Sequence, residues 1–501
     1  MRRRLWPVLL AVGAITAAHV AYSVWWSPYE LVTDEAQYWD WSRHLDWSYY
    51  SKGPGVAWLI AFTTHLLGNA EWAVRLPAAL SFAVVMLALA WLTADALADA
   101  RIAGRAAVLV PLILSLVPAY QLSGLLMTID PPALACWALA LVAAWRAYRQ
   151  EAAAARPRYA PWLGLGTALG IGFLFKYTDV LLLPGLLLFV WMTRASVRWR
   201  RSSRRALSAG VVAIVLAMPV ILWNARHGAA GAAHVLAYVD APGGDQPEQG
   251  GSAWSWRTIA EYPLVQAVVI GPMLLLAIAG ARQVGRERRA DGVEANLVRF
   301  LWCAAAPMLA LFLLASARTR IEGNWPMAAF LSAVPMAAIA VARGVSSRWW
   351  RATVVYGVLS LIVIHAPLVT AQLPVVGRWI PVHRFHGSRA RIRSLGDGVR
   401  SFLDRSADRG IVIALNHREA GLLAYYLPGQ PMVASAGALL GERRSAYDFF
   451  AQTDLSNASI AGRPALFVGG SPDLWRTVCR CPDLTLVDSR GPLFETSAFA
   501  R

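Results

Sequence analysis

Stretch after stretch of this chain is apolar for long enough to cross a hydrocarbon layer, and that restricts the fold before any motif is read. A spanning helix needs about 20 mostly apolar residues, because its backbone must satisfy its own hydrogen bonds where no water is present. About eleven such spans are expected, near 5–26, 73–94, 105–120, 132–149, 160–175, 177–193, 206–223, 263–281, 297–315, 326–342 and 350–370. A shorter apolar piece, 54–68, reads as a re-entrant or interfacial helix. Only 15% of the residues are charged, where soluble domains carry about 25%. The first apolar stretch is longer than the roughly 7–15-residue core of a signal peptide, so it reads as a retained span.

The net charge of +17 does not mark a nucleic-acid binder, because the arginines sit between the apolar segments rather than on one domain. Instead, basic-rich and basic-poor loops alternate along the chain. Short cytoplasmic loops collect Lys and Arg, so the alternation puts the N-terminus in the cytoplasm and loops 27–72, 121–131, 224–262 and 316–325 outside. A span missed from the count would invert every later loop.

After about residue 371 the apolar runs shorten to strand length, at 411–415 and 465–468, with helical stretches at 391–405 and 417–427 between them. The expected architecture is therefore an all-α polytopic membrane domain over 1–370, carrying outer loop 27–72, followed by a small extracytoplasmic α/β domain over 371–501. Gly-rich 241–251 reads as a flexible loop. Cys136 and Cys303 fall in apolar runs, and Cys479 and Cys481 stand too close together for an easy disulfide.

Chemistry-bearing residues gather in the outer loops. Thr33-Asp34-Glu35 sets adjacent carboxylates just outside the first span, and Tyr49-Tyr50-Ser51-Lys52-Gly53-Pro54 puts a cation in a Gly/Pro turn soon after. A reaction that deprotonates a hydroxyl and expels a phosphate needs such a pair of charges. Of 47 basic residues only Lys52 and Lys176 are lysine, both on the expected outer side. A compact ammonium there suits phosphate, although Lys176 could equally pair with Asp179. Asp130, ahead of Pro131-Pro132, reads as a helix cap, a site carboxylate, or both. His227 opens the long outer loop, and Arg318 and Arg320 close the last one, where two arginines can clamp a phosphate or rest among lipid headgroups.

In family order these pieces resemble the GT-C glycosyltransferases, in the branch of the protein mannosyltransferases and the lipid A aminoarabinose transferase. The matching stretches are Asp34-Glu35-Ala36 with Tyr38-Trp39, Lys52-Gly53-Pro54, Arg75-Leu76-Pro77, Asp130-Pro131, Lys176-Tyr177-Thr178, Asn224 with His227-Gly228, and Asn324-Trp325-Pro326. The resemblance implies an inverting transfer from a polyprenyl-phosphate sugar to a hydroxyl of a glycolipid, glycan or protein, in a bacterial inner membrane. It implies Asp34 as general base with Glu35 in support, and Asp130 lining the same cavity. Lys52 and one or both of Arg318 and Arg320 would hold the phosphate, with Tyr50, Arg75, Lys176, Tyr177, His227 and Asn324 as further substrate-binding positions. One departure is Ser51, where relatives often carry an acid or His.

A leaving group that is already a phosphate ester needs no nucleotide machinery, and the chain has no Walker A or HExxH motif. No cofactor is expected. A divalent metal on Asp34, Glu35 and Asp130 is the less favoured reading, because acids are sparse in the outer loops. The rival function is a lipid or sugar flippase. Transporters place their binding groups at mid-membrane in broken, repeated helices, whereas these charges cluster at one surface and no repeat is visible.

Overall fold

The computed structural model describes every residue except 1, 154–156, 195–196, 198, 239–243, 246–253, 287–291, 346, 407–408, 482, 489–491 and 500–501. Most of the Gly-rich 241–251 stretch therefore lies outside the described residues. Each expected apolar segment is helical over most of its length. Among the described residues four helices are long and apolar enough to cross a membrane alone: Trp6–Trp25, Glu71–Asp95, Ser203–Arg226 and Val293–Ala315. Two bent pairs, Ala100–Ser115 with Pro118–Leu125 and Trp256–Ile270 with Met273–Arg286, raise the number to six if each is one span. The bends, 76° and 88°, fall where Pro118 starts a new helix and where Gly271-Pro272 interrupts one. Ala160–Phe173, Tyr177–Thr193 and Met327–Ala342 are shorter, so length and composition support four to six spans rather than the expected eleven.

The chain divides into two compact units. The first comprises 1–26, 75–223 and 251–367. Its core is aromatic and aliphatic: Trp137, Trp145, Tyr120 and Phe300 are fully buried, and the Tyr120 hydroxyl donates to the Met327 carbonyl at 3.0 Å. Helix Ser203–Arg226 shows how these helices divide their faces. Leu207, Val211, Ile214 and Val215 are exposed, a stripe that only lipid would cover favourably, while Ala209, Ala217 and Trp223 are buried. On the buried side, a Cβ at Gly166 would stand 2.2 Å from the Ala209 carbonyl oxygen, and one at Gly170 would stand 2.7 Å from that of Ala213. Glycine at this four-residue spacing lets two helix backbones touch.

The second unit comprises 27–74, 224–250 and 368–501. It holds a five-stranded sheet made of β1 (Ile411–Ala414), β2 (Val433–Ser435), β3 (Ala465–Val468), β4 (Thr485–Asp488) and β5 (Leu493–Thr496), in the order β2-β1-β3-β5-β4. The β2-β1-β3 half is parallel and the rest antiparallel. The parallel strands β1 and β3 are buried along their whole length, as their unbroken apolar runs require. Helix His417–Tyr426 packs against helix Thr33–Ser42 so closely that a Cβ at Gly421 would meet the Gln37 backbone nitrogen at 2.7 Å. Trp39 meets Tyr425 edge-on at 4.8 Å, and the Tyr425 hydroxyl donates to the Asn69 carbonyl at 2.7 Å. Cys479 and Cys481, both buried beside Trp475, are joined in a disulfide, contrary to the reading from their spacing.

Candidate active site

In the second unit, Asp34 and Glu35 lie in the first turn of Thr33–Ser42, where the helix dipole favours carboxylates. Their surroundings differ. Glu35 is fully buried and accepts the Val32 backbone N–H at 3.1 Å, which ties down the helix start. Asp34 is exposed. Nearer the helix end, the buried Asp40 carboxyl stands 3.3 Å from Arg43. Burial pushes its pKa up to about 6, and the Arg43 charge opposes that rise.

Lys52 sits in a turn fixed from several sides. Its carbonyl accepts from the Tyr49 N–H at 3.0 Å and the Ser48 hydroxyl at 3.3 Å. The Tyr49 ring stacks on Trp41 at 4.5 Å, and its hydroxyl is shared between the Trp41 and His44 carbonyls. Tyr50 donates its hydroxyl to the Asp245 carboxylate, lies 4.9 Å from the His234 ring and stacks on Phe449 at 5.4 Å. His234 is buried, which pushes its pKa down to about 2. The positive charges of Arg443, Lys52 and His417 push in the same direction. The His227 ring meets Phe449 edge-on at 5.9 Å. The Asn224 side chain accepts the Ala232 N–H at 3.1 Å, fixing the turn that opens the loop.

In the first unit a second polar group is closed on itself. The Lys176 ammonium lies 2.7 Å from one Asp130 oxygen and 3.3 Å from the Asn324 and Trp325 carbonyls. The Asn324 amide donates to the other Asp130 oxygen at 2.7 Å. Lys176 therefore pairs with Asp130 rather than with Asp179. Tyr177 packs on Phe173 at 5.0 Å, and Arg75 is buried in helix Glu71–Asp95. Arg318 and Arg320 are exposed, and Arg320 forms an ion pair with Glu261 at 2.8 Å.

Asp34, Glu35, Tyr50, Lys52 and His227 thus belong to one unit, and Asp130, Lys176, Tyr177, Asn324, Arg75, Arg318 and Arg320 to the other. Sequence reasoning passed over Asp40, His234, Asp245, Arg443 and His417. Asp245 lies in a stretch whose glycines announce only a loop, and Arg443 and His417 come from a region where no motif was recognised. Tyr50 was the usable signal, because an aromatic hydroxyl beside a site lysine calls for an acceptor nearby.

The family model of the dolichyl-phosphate-mannose-protein mannosyltransferases matches residues 51–223. Among curated proteins, the lipid A galacturonosyltransferase RgtD of Rhizobium johnstonii is 28% identical over 62% of this chain and 60% of its own. The undecaprenyl phosphate-α-4-amino-4-deoxy-L-arabinose arabinosyl transferase of Pseudomonas aeruginosa is 30% identical over 44% of this chain and 40% of its own. These matches therefore span less than two thirds of each relative. Among solved structures, apo ArnT from Cupriavidus metallidurans superposes with a TM-score of 0.62 over 99% of this chain and 98% of that one, at 16% identity. The same enzyme bound to undecaprenyl phosphate gives 0.61 over 97% of both chains, again at 16% identity. Both show a shared fold. The chain thus has the fold of ArnT, and over residues 51–223 it resembles the dolichyl-phosphate-mannose-protein mannosyltransferases.

Proposed function

We propose that this protein is a glycosyltransferase of the bacterial inner membrane that moves a sugar from a polyprenyl-phosphate donor to a hydroxyl on the outer face, with inversion. The observation that carries the reading is the pairing of Asp34 and Glu35. One carboxylate is buried and fixes the helix start, and its neighbour is exposed to solvent at the same helix end. Such a division suits a general base on a rigid mount. The acceptor oxygen attacks the anomeric carbon while its proton passes to Asp34. The bond from that carbon to the phosphate oxygen breaks, and polyprenyl phosphate leaves with the electron pair. Lys52, in its locked turn, steadies the charge that develops on the phosphate. Relatives that act on lipid A or use undecaprenyl phosphate favour a glycolipid acceptor and that class of donor. The disulfide between Cys479 and Cys481 suits an oxidising compartment, in keeping with a C-terminal region outside the cytoplasm and a cytoplasmic N-terminus.

Purified protein given a radiolabelled polyprenyl-phosphate sugar and a lipid A acceptor should release polyprenyl phosphate and label the acceptor. Asp34→Asn should slow turnover by about 100-fold or more while the melting temperature holds. Label that crosses a vesicle membrane without bond cleavage would instead identify a flippase.

A further inference from the structure

The loops that follow the parallel strands of the small sheet carry basic groups to the Lys52 turn. Strand β1 has β2 on one side and β3 on the other, so the chain reverses its winding direction at β1. In open α/β sheets, ligands bind outside the carboxyl ends of the strands at such a reversal. His417 opens the helix that follows β1, and Arg443 lies on the loop that follows β2. That loop is fixed. The Glu442 N–H donates to the Gly437 carbonyl at 2.8 Å, and Ser445 donates its N–H and hydroxyl to the Asp448 carboxylate at 2.6 and 3.0 Å. Phe449, at its far end, stacks on Tyr50. Arg444 is occupied as a prop, its guanidinium 4.1 Å above the Phe449 ring and donating to the Asp448 carbonyl. Arg443 is half-buried, and its charge, with those of Lys52 and His417, bears on the His234 ring against which Tyr50 packs. The loop that carries Arg443 thus meets the Lys52 turn through the Phe449–Tyr50 stack, with the His234 ring against Tyr50.

We infer that Arg443, from the small C-terminal sheet region, binds the same phosphate group as Lys52. A guanidinium fork beside a compact ammonium suits the non-bridging oxygens of a phosphate ester. The inference rests on the proposed phosphate-handling role of Lys52 and adds a residue outside the sequence motifs. The phosphate belongs either to the polyprenyl carrier or to an acidic glycolipid acceptor.

The test uses the full chain in lipid nanodiscs, with undecaprenyl phosphate and bisphosphorylated lipid A as separate probes. Arg443→Ala should weaken one probe by roughly tenfold or more, and Arg443→Lys by less, as expected for loss of a charged fork. Arg476→Ala, which removes the same charge from an exposed position on the helix after β3, should stay within about threefold of wild type. Undecaprenol, which lacks the phosphate, should bind all variants alike. Loss confined to undecaprenyl phosphate assigns the donor, and loss confined to lipid A assigns the acceptor. Unchanged binding of both probes by folded Arg443→Ala and Arg443→Gln overturns the inference. If Lys52→Ala also leaves both probes unaffected, the phosphate role of Lys52 fails with it. If Lys52→Ala alone loses binding, only the role of Arg443 is lost.

Discussion

The two lysines of this chain stand in opposite kinds of surroundings. Lys176 is enclosed. Its ammonium meets Asp130 at 2.7 Å, side-chain exposures are 12% and 6%, and the second Asp130 oxygen is taken by Asn324. Lys52 is held by its backbone in a turn whose ring contacts lead to His234 and Phe449. Scarcity of lysine marked both positions alike. Only the structure separates a cation enclosed in an ion pair from one mounted on a fixed turn beside titratable groups.

The contrast breaks most visibly through stability. Removing one member of a buried ion pair strands the other charge, which costs about 3–5 kcal/mol. Lys176→Ala should therefore lower the unfolding free energy by that much. Lys176→Met combined with Asp130→Asn should recover much of the loss, because neither charge is then left alone. Thermal unfolding of the detergent-solubilised protein measures both. A wild-type melting curve for Lys176→Ala would mean the enclosed pair does not stabilise the fold.

Lys52→Ala should do the reverse. Turnover should fall by about 100-fold, equivalent to roughly 2.7 kcal/mol of transition-state stabilisation, while stability stays within about 1 kcal/mol of wild type. Parallel losses of stability and rate at both lysines would erase the distinction.

A third effect concerns the mount rather than the charge. Gly421 has no room for a side chain, because an added Cβ would press on the Gln37 backbone at 2.7 and 2.9 Å. Gly421→Ala should cost about 1–3 kcal/mol through backbone displacement. It should also slow turnover, since Gln37 is on the helix that carries Asp34. A destabilised variant with unchanged turnover would show that the position of that helix does not govern the site.

The apolar helices were legible because hydropathy acts over whole segments, so local errors average out. The strands at 411–414 and 465–468 were legible for a related reason: short unbroken apolar runs are what buried parallel strands require. Span number was less readable, because proline and glycine break helices such as Ala100–Leu125 into pieces that hydropathy alone joins. In the candidate site, residue type and placement single out Asp34, Glu35 and Lys52. The partners of Lys176 could not be read, because Asp130 and Asn324 lie 46 and 148 residues away and the nearer Asp179 was the obvious candidate. His234 and Arg443 were hidden for the same reason. A lone histidine and one arginine among many carry no local signal, and only tertiary packing gives them neighbours.

The smallest effect extends the contrast from cations to acids. Asp130 is met at 2.7 Å on both oxygens, whereas buried Asp40 has Arg43 at 3.3 Å and a pKa raised to about 6 from 3.8. A carboxyl whose folded pKa lies above its unfolded value binds its proton more tightly in the folded state. Its penalty is absent below the unfolded pKa and fully present above the folded one, so stability falls as pH rises through that window. Between pH 7 and pH 5 the wild type should therefore gain about 1 kcal/mol relative to Asp40→Asn, which cannot titrate. Subtracting the variant's curve cancels His44, His234 and every other group common to both proteins. A difference that stays flat across that range would mean Asp40 is ionised throughout, with Arg43 neutralising it as fully as Lys176 does Asp130.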